Sequence, residues 1–173
     1  MNIDDLKTLI RDVPDFPKPG IMFKDITPML ADAKALHTSI ALIGDRLRAY
    51  KPDVIVGIES RGFLFGAPLA IYLGTGFVPV RKPGKLPADV VREEYDLEYG
   101  KDSIEIHRDA IAPGARVIVV DDVIATGGTA KAACDLVQHV GGEVVAAAFL
   151  IELSFLEGGR RLGVLPQECL IRY

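Results

Sequence analysis

Asp121 and Asp122 stand side by side after the apolar run Val117, Ile118, Val119 and Val120. Ala125, Thr126, Gly127, Gly128 and Thr129 follow almost at once. Paired carboxylates can accept hydrogen bonds from two neighbouring hydroxyls. Small side chains let backbone N–H groups come close to an anion, the two threonine hydroxyls add donors, and a helix starting just beyond adds partial positive charge. Acid pair and loop together can hold a diol and a phosphate, the two ends of a ribose 5-phosphate. Either half alone has an ordinary explanation: an Asp pair can end a strand, and two threonines around two glycines can be a turn with an N-cap. Their direct junction behind an apolar strand favours the ligand. Strand geometry adds a condition, because successive side chains point to opposite faces. Asp121 and Asp122 can serve one ligand only if the strand ends and turns at them. Neither G-x-x-x-x-G-K-[ST] nor G-x-G-x-x-G fits the glycines, which disfavours a P-loop ATPase and a dinucleotide fold.

The elements that must position these groups alternate between strand and helix. Ile3, Leu6, Leu9 and Ile10 recur at helical spacing behind a capping Asn2. Three prolines in residues 12–20 make the next segment extended and stiff. Residues 21–30 lack a clean period and read as an arm over the core edge, or as a lid whose Phe23 lies against a flat ligand. Asp32 opens a helix reaching Tyr50, with Leu36, Ile40, Ile43 and Leu47 on one face. Residues 54–58 are a buried parallel strand, 63–73 a helix despite Pro68, and 77–80 a second strand. Residues 103–107 alternate like a half-wet strand, and 116–120 form the strand that carries the acids. A helix from Lys131 to Val140 stops at Gly141 and Gly142, and strands follow at 143–151 and 169–171. This order predicts an α/β fold: an open, mostly parallel central sheet flanked by helices.

The 173 residues suffice for one domain with a sizeable core, so residues 1–173 are read as a single domain. A formal net charge of -4 counts against non-specific nucleic-acid binding. The longest apolar run, residues 144–151, is far short of the roughly 20 residues of a membrane span. Asp4, Asp5 and Lys7 interrupt the start, so no secretory signal is read there and cytoplasmic residence is the default expectation. Cys134 and Cys169 fit no metal or redox spacing, and His37, His107 and His139 have no metal-like partners. Residues 81–101 form a long excursion between strands, first basic and rich in Pro and Gly, then acidic with Tyr95 and Tyr99. Excursions of that length are functional or disordered.

The sequence Val-Val-Asp-Asp-Val-Ile-Ala-Thr-Gly-Gly-Thr at 119–129 resembles the phosphoribosyl pyrophosphate (PRPP) motif of type I phosphoribosyltransferases. Residues 15–26, 59–66, 81–87 and 94–101 are similar to the adenine-specific branch of that family, in its order and approximate spacing up to about Leu153. The resemblance implies the type I phosphoribosyltransferase fold, with a small hood built from the N-terminal arm (1–30) and the C-terminal segment, and a flexible catalytic loop at about 81–101. It implies purine salvage: adenine and PRPP give AMP and pyrophosphate, with Mg²⁺ held by PRPP oxygens and water rather than by the protein. Asp121 and Asp122 then hold the ribose hydroxyls, and Ala125, Thr126, Gly127, Gly128 and Thr129 the 5-phosphate. Ser60, Arg61 and Gly62 meet the pyrophosphate, behind a strained peptide before Ser60. Met22 and Lys24 read the adenine edge through their backbones, with Phe23 on its face and Leu153 behind. Lys24 stands where some relatives carry Arg, a change that a backbone contact tolerates. Glu98 is the proton-handling residue, with Tyr99 beside it, and Arg81, Lys82 and Lys85 reach phosphates near a homodimer interface.

The chemistry agrees with those roles. Displacement at the anomeric carbon builds positive charge on the sugar while pyrophosphate leaves, so the leaving group needs cations around it. Adenine loses a ring proton as N9 bonds to ribose, and a nearby carboxylate can take or relay it. PRPP hydrolyses wastefully if water enters, so a lid is expected. The rival reading is a PRPP-sensing regulator. It needs a nucleic-acid surface, and no helix-turn-helix module or basic stripe is visible.

Overall fold

In the computed structural model, residues 1–97 and 100–173 are described. Five parallel strands form the central sheet in the order β4-β3-β7-β8-β9: β3 (Val54–Ile58), β4 (Gly76–Val80), β7 (Arg116–Ile124), β8 (Glu143–Glu152) and β9 (Gln167–Arg172). Alternation along each strand feeds two cores. Ile55, Ile118, Val120, Ala148 and Leu150 face α3 (Ala33–Leu47) and α4 (Gly62–Leu73), where Ile43, Leu47, Phe65 and Leu69 are buried. Val56, Ile58, Val117, Val119 and Phe149 face α5 (Gly128–His139), where Ala132, Leu136 and Val137 are buried. Each fully buried side chain of Leu or Val size contributes about 1.5–3 kcal/mol, so these two layers fix the sheet that carries the acids. Cys134 and Cys169 belong to the second layer, and burial pushes both thiols up to about 12, consistent with inert structural cysteines.

The helix ends follow their capping chemistry. Asn2 and Asp5 form a reciprocal capping box at α1 (Ile3–Thr8), and Asp32 Oδ1 accepts from Ala35 N at 2.8 Å to start α3. The stiff arm is more regular than its prolines led us to expect. β1 (Arg11–Pro14) and β2 (Met22–Asp25) pair antiparallel, with Val13 opposite Phe23, and a short α2 (Thr27–Ala31) follows. Prolines are compatible with a two-stranded ribbon because each strand here has an unpaired edge. Thr27 N–H and the Arg11 guanidinium hold the Asp25 carboxyl down to about 2, which ties the ribbon to α2.

Two further expectations need correction. The second half of the 81–101 excursion enters a hairpin: β5 (Val90–Asp96) pairs antiparallel with β6 (Lys101–His107) over its whole length. Arg81 and Glu105 exchange backbone hydrogen bonds of 2.9 and 2.7 Å, which fastens the hairpin to the end of β4. The sequence hid β5 because its residues Arg92, Glu93 and Glu94 are charged and lie on a ribbon wetted on one side. Glu98 and Tyr99 lie outside the described residues. The second correction concerns β7. It does not end at the acid pair but continues to Ile124 beside β8. On its other edge, β3 pairs with it only as far as Gly57 opposite Val120, then leaves through Glu59 and Ser60. The opening therefore arises from the departure of β3. It lies where successive connections run to opposite sides of the sheet, the place where open α/β sheets bind ligands.

Candidate active site

Three cavities adjoin at that opening. The first, about 90 Å³, is lined by Asp121 and by residues 123–130. The second, about 270 Å³, lies between Met22, Phe23 and Lys24 on β2 and Leu153 beyond β8, with Arg61, Asp121 and Asp122 at its floor. The third, about 420 Å³, is lined by Glu59, Ser60, Arg61, Lys82, Tyr95, Asp102, Thr129 and the same two aspartates. Asp121 and Asp122 thus share cavities although β7 runs on past them.

The acid pair is electrostatically costly. Burial pushes the Asp121 carboxyl well above the ordinary range, and the neighbouring Asp122 charge pushes it further. Asp122 is also raised by burial, with the Arg61 guanidinium pulling it back. Arg61 Nε lies 2.6 Å from Asp122 Oδ2, but no N–H is directed at that oxygen, which stays buried without a hydrogen-bond donor. A close charge contact without a donor leaves room for a hydroxyl to supply one. Arg61 also lies with its guanidinium carbon 5.2 Å from the Phe23 ring centroid. It stands between the acids and the hood, at the rim of all but the first cavity.

The loop before α5 forms because Gly127 takes a left-handed conformation, φ 81°, and caps the helix. α5 starts at Gly128, three residues earlier than the sequence pattern placed it, because the small residues there carry no apolar period to reveal it. A side chain on Gly127 would reach within 2.2 Å of Gly158 O. The turn at Gly158–Leu162 therefore clasps the loop, a contact that the loosely matching C-terminal sequence did not reveal. Gly62 plays the matching part for α4: a Cβ there would lie 2.8 Å from Val120 O, so this glycine lets the helix start close against β7 and its acids.

The Ser60 side is built on Glu59. Its carboxylate accepts from Lys82 N at 2.8 Å and from both Arg81 Nε and an Arg81 Nη at 3.3 Å. The Lys82 hydrogen bond, outweighing burial, holds the Glu59 carboxyl below its usual value. The Glu59–Ser60 peptide is cis. Lys82 Nζ pairs with Asp102, and Tyr95 OH donates to the same carboxylate at 3.2 Å. Burial works against the Lys82 charge, yet its Asp102 and Tyr95 contacts raise its pKa above that of an ordinary lysine. Glu59 and Asp102 were not singled out in the sequence, since acids near a would-be pyrophosphate site carry no signal until their cationic partners are placed. Lys85 lies off these cavities, its carbonyl accepting from Arg81 at 3.3 Å.

In the hood, Phe16 and Phe23 stack edge to face at 5.1 Å, which steadies the Phe23 ring. Lys24 Nζ turns away to Asp12, 2.6 Å off, and sits 3.8 Å from the Tyr173 ring centroid. Lys24 also lines the second cavity. Leu153 is held behind by Leu153 N donating to Ile124 O at 3.0 Å. The histidines take no shared part: His107 Nε2 accepts from Ala88 N and His139 lies beside Glu93.

A glycine-bearing loop at a helix start, an acid pair and a slot walled by Phe23 meet at one sheet crevice. Comparison with known proteins identifies the family. The phosphoribosyl transferase domain family model matches residues 28–161. An adenine phosphoribosyltransferase of Caldanaerobacter subterraneus subsp. tengcongensis is 58% identical over 173 residues, all of both chains. The crystal structure of the Thermoanaerobacter pseudethanolicus adenine phosphoribosyltransferase superposes with a TM-score of 0.97 at 54% identity, covering 99% of this chain and 100% of that one. The Saccharomyces cerevisiae enzyme, solved with D-2,5-dideoxy-2,5-imino-altritol 1,6-bisphosphate and adenine, gives 0.91 at 42% identity over 97% of both chains. The chain belongs to the phosphoribosyltransferase family and, within it, to the adenine phosphoribosyltransferases. Members of that branch join adenine to PRPP, giving AMP and pyrophosphate in purine salvage.

Proposed function

We propose that the three cavities divide one PRPP and one adenine between them, with Asp121 and Asp122 holding the ribose at the junction. The observation that carries this is that Asp121 lines all three cavities. The 125–129 loop takes the 5-phosphate. Ser60, Arg61 and Gly62, with Lys82, face the pyrophosphate. Adenine enters the slot between Phe23 and Leu153, its edge met by the backbones of Met22 and Lys24. The slot, about 270 Å³, lies just below the usual range of small-molecule pockets, about 300–1,000 Å³, in keeping with a ligand as small as a single base. The yeast relative's structure holds adenine together with a bisphosphate, so a base and a phosphorylated sugar mimic bind that relative at once.

In this reading the reaction runs as a displacement at the anomeric carbon. The Phe23 face and the slot hold N9 in line with that carbon. Asp121 and Asp122 bear hydroxyl hydrogen bonds that strengthen as the ring gains positive charge. The Arg61 guanidinium, half-exposed beside Asp122, can swing to the departing pyrophosphate once ribose hydroxyls take its place. Glu98 receives the proton that adenine loses. Mg²⁺ would be held by PRPP oxygens and water beside Ser60, Arg61 and Lys82. When bound it supplies positive charge to the pyrophosphate oxygens. Arg81, Lys85 and Tyr99 serve phosphates across a homodimer, for which the exposed Leu64 and Ile71 of α4 offer an apolar surface. No helix among the described residues is long and apolar enough to cross a membrane, in keeping with the cytoplasmic setting we propose.

A crystal structure with AMP tests the division. We expect its phosphate on residues 125–129, its ribose hydroxyls on the two aspartates and its base against Phe23. A phosphate at Ser60 and Arg61 instead would reverse the assignment. Glu98→Gln tests the proton role separately: turnover should fall while PRPP affinity holds, and an unchanged kcat would move proton handling elsewhere.

A further inference from the structure

Arg161 is a cation that the reading so far leaves without work. It lies on the Gly158–Leu162 turn that clasps the phosphate loop. Its neighbour Arg160 is paired with Glu157 at 2.8 Å, whereas among the described residues Arg161 makes no hydrogen bond or ion pair. Its exposed side chain nonetheless ends near the start of α5. A Cβ built on Gly128, the first residue of α5 and part of the phosphate cavity, would lie 3.8 Å from Arg161 Nη1. The approach is held from both sides. A Cβ on Gly158 would meet Ala125 O at 2.2 Å and Gly127 N at 2.8 Å, so the turn and the loop are in backbone contact. The turn therefore cannot drift away from the loop without opening it.

We propose that Arg161 is a binding residue for the 5-phosphate of PRPP and of AMP, closing the loop from its C-terminal side. This rests on the reading that residues 125–129 hold that phosphate. The loop itself offers only neutral donors: backbone N–H groups, two hydroxyls and the helix end. No Lys or Arg lines the first cavity. A dianionic phosphate between neutral donors gains from one unpaired guanidinium beside it, and guanidinium matches phosphate geometry. The side chain is exposed, so its charge costs little desolvation before the ligand arrives.

Two inhibitors separate this from a solvated surface charge. Ribose 5-phosphate carries only the phosphate that Arg161 should meet, and pyrophosphate carries only the other end of PRPP. In the full-length enzyme, Arg161→Gln should weaken ribose 5-phosphate and raise KM for PRPP by roughly tenfold, the scale of one charge-assisted bond. Pyrophosphate inhibition, KM for adenine and the melting temperature should stay as they were, and Arg161→Lys should recover much of the loss. Unchanged ribose 5-phosphate binding in Arg161→Gln overturns the proposal, as does an equal loss for both inhibitors. Thr129→Ala, measured alongside, keeps the two readings apart. If Thr129→Ala weakens ribose 5-phosphate and Arg161→Gln does not, the loop stands and Arg161 falls. If Arg161→Gln alone weakens it, the loop assignment falls and with it the proposal that Arg161 closes the loop over the phosphate.

Discussion

Asp122→Asn lowers kcat/KM for PRPP by about 10- to 100-fold and leaves KM for adenine nearly unchanged. The substitution keeps shape and removes charge. A hydrogen bond to a charged group is worth about 1.5–3 kcal/mol, and each 1.36 kcal/mol is tenfold in rate. Asp122 Oδ2 is the buried oxygen without a donor, so it is the acceptor with most to gain from a ribose hydroxyl. Asp121→Asn loses PRPP use by the same argument but gains stability. The Asp121 carboxyl is raised well above its usual range by burial and by its charged neighbour, so ionising it costs folding free energy. The unfolded chain ionises near the ordinary 3.8 while the folded chain still holds the proton. Wild-type stability therefore falls as pH rises through the interval from that value to the raised one, and the Asn variant does not share the fall. The melting temperature of Asp121→Asn should match wild type below the interval and exceed it at neutral pH, by about 2–4 °C for each kcal/mol relieved. Equal melting temperatures at neutral pH would show that the acids are not an electrostatic burden. That burden is a property of a site kept for its ligand at the expense of the fold.

Gly127→Ala removes most PRPP use and destabilises the protein together. Its φ of 81° is a left-handed conformation that costs a non-glycine residue about 1–2 kcal/mol. The added carbon would also fall 2.2 Å from Gly158 O and 2.9 Å from Gly158 C, which are backbone atoms. Gly158 is itself packed against the loop backbone at Ala125 O and Gly127 N, so moving it away would open that contact. The sum should exceed about 3 kcal/mol, a melting-temperature loss of roughly 6–12 °C for a chain of this size. Calorimetry with a PRPP titration checks both halves. A variant that melts like wild type would mean that the loop and the C-terminal turn part freely, and that the clasp has no energetic content.

Much of this was legible in the sequence, for physical reasons that differ by element. The sheet strands were visible because they are buried on both faces, so 54–58 and 117–120 read as unbroken apolar runs. α3 was visible from its period and its capping Asp32. The acid pair and loop announced a ribose phosphate because their residue types are rarely joined otherwise. β1, β2 and β5 were invisible because two-stranded ribbons bury little and need no apolar alternation. The exit of β3 beside Asp121 depends on pairing between segments 63 residues apart, Gly57 with Val120, and no local pattern encodes it. Gly158 and Arg161 lay in the stretch that matched the family least, and their proximity to the loop is purely tertiary. Glu59 and Asp102 take meaning only from the cations they hold.

The most direct measurement is the rate of nucleotide formation from PRPP and Mg²⁺ with adenine, hypoxanthine, guanine and orotate supplied one at a time. The expected result is AMP and stoichiometric pyrophosphate from adenine, with the other bases slower by orders of magnitude, and the adenine rate abolished in the Asp121→Asn, Asp122→Asn double variant. Turnover of another base in preference to adenine would contradict the account, as would a double variant with wild-type rates.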